Sequence, residues 1–119
     1  MKHLYYAILN SGNDIMTTTL NIDKTQIAAF CERWHIQELD LFGSALRDDF
    51  GPQSDLDFLV VYAPGATISL FDEAQMEIEL EAMFERSVDL VSKCAVESSS
   101  NWVRRNAILE SMEPIYVAS

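Results

Sequence analysis

From Asn21 onward, apolar and polar positions recur with periods that change along the chain. Ile27, Phe30, Cys31 and Trp34 share a helical face, and Asp23 stands where an N-cap belongs, so residues 24–34 read as a helix. Ile36, Leu39 and Leu41 carry the apolar side of a partly buried strand over 36–42. Residues 44–49 read as a short helix, which Gly51-Pro52 breaks. Residues 55–62 read as a second strand, and its apolar end Phe58-Leu59-Val60-Val61 suits a strand covered on both faces. The clearest helix covers 70–85, with Phe71, Met76, Leu80, Met83 and Phe84 along one side and Asp72, Glu73, Glu77, Glu81 and Glu85 along another. A third strand follows over 87–91. A last helix covers 99–112 with Trp102, Ile108 and Leu109 as its anchors, and a terminal strand covers 114–117.

This order predicts an α/β (α+β) domain, a mixed sheet of about four strands with helices packed against it. The domain is expected over residues 21–119, and residues 1–20 form an N-terminal extension of a different character. Residues 4–9 could add a strand or a helical turn there, or translation could begin at Met16. No repeat or low-complexity tract occurs.

Composition narrows the classes. With 119 residues, 49% hydrophobic and 23% charged, the chain suits one globular core rather than a disordered segment. No apolar run is long enough to span a bilayer, and the N-terminus lacks signal-peptide character, which makes the cytoplasm the expected location and a membrane an unexpected partner. Cys31 and Cys94 are a distant pair with no metal-type cluster around either. The net charge is −11, and between Arg47 and Val91 eleven acids face two bases. Such a surface repels a nucleic-acid backbone and suits a nucleotide carried with a divalent cation, or a basic protein.

The chemistry lies in one line. Leu41-Phe42-Gly43-Ser44 ends a strand and opens a helix; after ten further residues comes Asp55-Leu56-Asp57 on the next strand. Glycine lets a backbone approach a phosphate, the helix start offers free N–H groups, and the Ser44 hydroxyl can add a hydrogen bond. Arg47, one turn later, could reach the phosphates or a partner. Asp55 and Asp57, two apart on a strand, project to the same face, where their repulsion is relieved by a divalent metal. Mg²⁺ takes one or two carboxylates together with substrate phosphates. Asp89, an acid among apolar strand residues in Val88-Asp89-Leu90-Val91, is the natural third ligand and could accept a proton from an attacking hydroxyl.

Each part has a plainer reading: an ordinary helix start, a solvated strand end. Together at this spacing, the four motif residues arise by chance in about one chain in a thousand of this length. His35 reads as a helix-end residue, Ser98-Ser99-Ser100 as the cap of the last helix, and Arg104-Arg105 as a solvated face with a possible role at a nucleotide or partner.

These residues resemble the minimal nucleotidyltransferases of the DNA polymerase β-like superfamily. The resemblance runs from about Asp23 to Val117 and includes Arg47 and the closing pattern Ala107-Ile108-Leu109-Glu110 with Ile115-Tyr116. It implies an antitoxin that binds a helical HEPN ribonuclease toxin, encoded beside it, and transfers AMP from ATP to a tyrosine of that toxin with Mg²⁺. Under the family scheme Gly43 and Ser44 hold the triphosphate, Asp55 and Asp57 hold both metal ions, and Asp89 completes the catalytic one. Two rival functions remain open: masking of the toxin by binding alone, and nucleotidyl transfer to a small molecule. The second is disfavoured by a chain too short for a separate acceptor-binding domain.

Overall fold

The computed structural model describes residues 3–4, 22–43 and 54–118. The expected helix at 44–49 lies outside these residues, as does nearly all of the N-terminal extension.

Asp23 starts the first helix as its spacing predicts: its Oδ1 accepts the N–H groups of Thr25 and Gln26 at 3.0 and 3.2 Å, opening α1 (Lys24–Arg33). Ile27, Phe30 and Cys31 are its buried face. His35 adopts a left-handed conformation at φ 57°, and its carbonyl accepts the N–H of Ala63, turning the chain into β2 (Ile36–Phe42).

Among the described residues the sheet has five strands. Two-residue β1 (His3–Leu4) pairs with β5 (Glu113–Ala118), β5 with β2, β2 with β3 (Leu56–Tyr62), and β3 with β4 (Val88–Ser92). Only the last pairing is parallel, and α2 (Leu70–Phe84) connects its two strands. The four longer strands match the sequence expectation.

Alternation along the strands divides the core between two faces. Leu39, Leu41, Leu56, Phe58, Val60, Val88 and Leu90 join α1 and α2 in the larger cluster. Met76 and Leu80 are fully buried there, and the ring of Phe84 lies 5.7 Å from that of Phe58. Truncating Leu80 to Ala would cost about 2–5 kcal/mol, the usual cost of an emptied core site. Phe42, Leu59, Val96 and Ile108 form a smaller cluster on the opposite face, under α3 (Lys93–Glu97) and α4 (Trp102–Ser111).

Several expectations need correction. Phe71, read as part of the core side of α2, is exposed, because helical rotation sets it nearly opposite Met76 and Leu80. Trp102, read as an anchor, is exposed at the first turn of α4, while Ile108 and Leu109 do pack inward. Ser98–Ser100 do not cap α4 directly: Asn101 is the N-cap and accepts the N–H of Arg104, and Ser99 accepts the N–H of Asn101 in turn. The five-residue helix α3 escaped the reading because it is too short to show a period.

Strand β4 is an edge of the sheet, yet two of its N–H groups have partners on α2. Glu77 Oε2 accepts the N–H of Leu90 at 2.9 Å, and Glu81 Oε2 that of Val88 at 3.2 Å. Four residues of helix and two of strand span similar lengths, about 6 and 7 Å, so the two carboxylates match alternate N–H groups.

Candidate functional site

The site forms where the smaller core cluster gives way to carboxylates. Leu56, Phe58, Val88 and Leu90 point to the larger core, so Asp57 and Asp89 project from the opposite face. The parallel register sets Asp57 directly beside Asp89, with strands about 4.8 Å apart. Asp57 is half-buried and Asp89 exposed. The face below them is closed by Leu59, Val91 and Val96, which tie the carboxylates to a packed support.

Asp55 lies one residue before β3 rather than on it. Its surroundings are nonetheless anchored: Arg86 Nη1 donates to the Ser54 carbonyl at 3.1 Å, and the Leu56 N–H donates to the Ser87 carbonyl at 2.9 Å. Asp55 is exposed at this entry to the strand.

Gly43 follows β2 directly, on the far side of Asp57 from Asp89, since Phe42 is the register partner of Asp57. Its φ is +73°, a region that side chains with a Cβ rarely adopt. A Cβ there would lie 2.5 Å from Oδ2 of Asp57. The glycine therefore serves two needs, the left-handed turn and the space for the carboxylate. Ser44 and Arg47, the other expected phosphate contacts, lie outside the described residues.

Among the described residues no group of three or more His, Cys, Asp or Glu side chains is gathered tightly enough to hold a metal ion. The expected three-carboxylate cluster is thus represented by a register pair, Asp57 and Asp89, with Asp55 at the strand entry. The donors still fit Mg²⁺, which takes hard oxygens, needs only one or two carboxylates, and completes its shell with water and phosphate. The missing Cβ of Gly43 leaves room that the Asp57 carboxylate itself occupies, so the turn and the carboxylate lie in direct contact.

One acid escaped the sequence reading. Asp40, on β2, is fully buried, and among the described residues neither of its carboxylate oxygens has a hydrogen-bond donor. It pairs in register with Leu59, one step along the sheet from Asp57 and on the same face. Burial pushes Asp40 up to about 8, the neighbouring Glu38 adds to the push, and Lys93 at the start of α3 opposes it. An ionised Asp40 has nothing to donate, whereas a protonated one can donate towards the neighbouring Glu38 carboxylate, the sense in which Glu38 raises it. The signal was in the sequence, since Leu39-Asp40-Leu41-Phe42 sets an acid in an apolar strand just as Val88-Asp89-Leu90 does.

Comparisons with known proteins agree with this architecture. The family model described as a nucleotidyltransferase domain matches residues 24–115. A solved structure presented as a minimal nucleotidyltransferase is 28% identical, with a TM-score of 0.58 over 76% of this chain and 87% of its own. A toxin–antitoxin crystal structure with AMP-PNP is 18% identical, with a TM-score of 0.61 over 81% of this chain and 74% of its own. A chain of the structure of a tri-AMPylated HEPN toxin from Shewanella oneidensis in complex with MNT antitoxin is 19% identical, with a TM-score of 0.55 over 79% of this chain and 69% of its own. At under 25% identity, these last two show a shared fold. No match is found among curated proteins.

Proposed function

The chain belongs to the nucleotidyltransferase domain family, and from that premise we propose that it is an antitoxin that transfers AMP from ATP to a tyrosine of a partner HEPN ribonuclease toxin. The observation that carries the chemistry is the register pair Asp57–Asp89 with Gly43 set against Asp57. Support for the partner comes from fold relatives that are toxin–antitoxin complexes, one with AMP-PNP and one with an AMPylated HEPN toxin.

In this reading Asp55, Asp57 and Asp89 hold Mg²⁺, which when bound neutralises phosphate charge and orients the reacting oxygens. Gly43 lets the polyphosphate approach the backbone, and Ser44 and Arg47 add contacts to it. Asp89 accepts the proton of the tyrosine hydroxyl as its oxygen attacks the α-phosphorus. The new bond joins that oxygen to phosphorus; the α–β phosphoanhydride bond breaks, and pyrophosphate leaves with the electron pair. The packed face under Asp57 and Asp89 supports the two strands that carry them, which favours their positioning.

The test is intact-protein mass spectrometry of the HEPN protein encoded beside this chain, mixed with it, ATP and Mg²⁺. The partner should gain one or more AMP units, and Asp55→Ala/Asp57→Ala should abolish the gain. No gain with the unaltered chain, or an equal gain with the variant, would refute the reading.

A second reading, neutralisation by docking alone, is favoured by the exposed apolar residues on α2. It predicts that Asp55→Ala/Asp57→Ala still protects cells from the partner.

A further inference from the structure

Helix α2 is apolar on two opposite faces. Met76 and Leu80 face the core. Phe71, Ala74, Ile78 and Ala82, spaced three, four and four apart, form a second stripe on the outward side. Phe71 is 88% exposed and Ile78 57%, and Leu70 beside them is 82% exposed. Such a stripe gains nothing for a free monomer, since its apolar area stays in water. Contiguous exposed apolar surface of this kind marks a contact site.

The charge around the stripe says what covers it. From Leu70 to Glu85 there are six acids and no base. Five of them are held by contacts of their own: Asp72 caps the helix at Ser69, Glu73 accepts from Tyr62, Glu79 from Arg33 and Trp34, and Glu77 and Glu81 from β4. The negative potential is therefore built into the helix rather than carried on free side chains. Even with Glu79 offset by Arg33, a second copy would bring this acidic helix against its own twin, on chains whose formal net charge is −11. An anionic membrane surface is repelled for the same reason.

We propose that the Phe71–Ala74–Ile78 stripe of α2 is the docking surface for a protein partner that presents an apolar ridge flanked by lysines and arginines. The apolar contact provides affinity, and the acidic helix steers association and rejects self-pairing. The partner's identity rests on the function proposed above; the surface itself does not depend on AMP transfer.

The HEPN toxin of the function proposed above is the probe. Binding is measured by titration calorimetry and by co-elution from a sizing column, without ATP. The unaltered chain and Asp57→Ala should bind alike. Phe71→Glu/Ile78→Glu should lose about 100-fold or more in affinity. Phe71→Ala/Ile78→Ala should lose less, and raised salt should weaken the unaltered pair. Both positions are exposed, so the variants should melt as the unaltered chain does, which separates lost docking from lost folding. Binding that survives Phe71→Glu/Ile78→Glu overturns the proposal, and so does the absence of a complex with the unaltered chain. Self-association of the unaltered chain, broken by the same substitutions, also overturns it, because a second copy would then be the occupant. Lost binding together with no AMP transfer by the unaltered complex would uphold the surface and refute the catalytic reading.

Discussion

The Asp57 carboxylate fills the space that a Cβ at Gly43 would need: the two positions would be 2.5 Å apart. A turn residue and a candidate metal ligand are thus coupled: with Asp57 in place, no side chain fits at Gly43 without displacing its carboxylate. Gly43→Ala should therefore displace Asp57 and also strain a backbone held at φ +73°. The expected result is a loss of about 1–3 kcal/mol in urea-induced unfolding. Transfer should fall about 100-fold or more, since small misplacements at a reacting centre cost that much. A Gly43→Ala chain that transfers normally would show that Asp57 is not held in place by this contact.

Asp57 and Asp89 repel each other across adjacent strands when no cation lies between them. Asp89→Asn should then stabilise the metal-free chain by a few tenths of a kcal/mol, the usual cost of like charges in register. If Asp89 has the proposed roles of metal ligand and proton acceptor, the same change should reduce AMP transfer about 1000-fold or more. Melting in EDTA and mass spectrometry of the acceptor separate the two effects. A variant that is both less stable without metal and fully active would contradict this assignment.

Glu77 and Glu81 supply the acceptors that β4 lacks on its outer side. Glu77→Ala leaves the Leu90 N–H of a buried residue without its partner and should cost about 1–3 kcal/mol. Glu77→Gln keeps an acceptor oxygen and should recover much of that loss. Hydrogen exchange at Leu90 gives a direct readout: it should speed up in Glu77→Ala more than at Phe58, inside the sheet.

Asp40 makes stability depend on pH in a defined direction. Its value rises from the ordinary carboxylate range to about 8 on folding. The folded chain keeps a proton that the unfolded chain gives up above about pH 4. Stability from this group is complete below about pH 4 and is lost as pH rises toward 8, with a slope of at most about 1.4 kcal/mol per pH unit. Asp40→Asn removes the effect. Unfolding midpoints of the two chains should diverge from pH 5 to pH 8, the variant gaining relative to the unaltered chain. Parallel curves would mean that Asp40 is not the group responsible.

Elements with a clear period were legible in the sequence. Helix α1, with its Asp23 cap, was readable because a polar cap precedes an apolar periodicity. The main strands were readable because their alternation is regular. Phe71 departs from its expected place because α2 has two apolar faces, and periodicity does not say which one is covered. Within the site, the spacing of Gly43 and Asp57 was visible, but their steric interdependence required the antiparallel register of β2 and β3. The adjacency of Asp57 and Asp89 likewise depends on β4 pairing parallel to β3, and no local pattern encodes which strand lies beside which.

Asp40 also alters what the chain's charge means. The formal −11 counts a carboxylate that remains protonated at neutral pH when folded. Folding at pH 7 therefore draws a proton out of solution. The heat of unfolding then contains a buffer contribution, and two buffers of different ionisation enthalpy report different values for the same molecule.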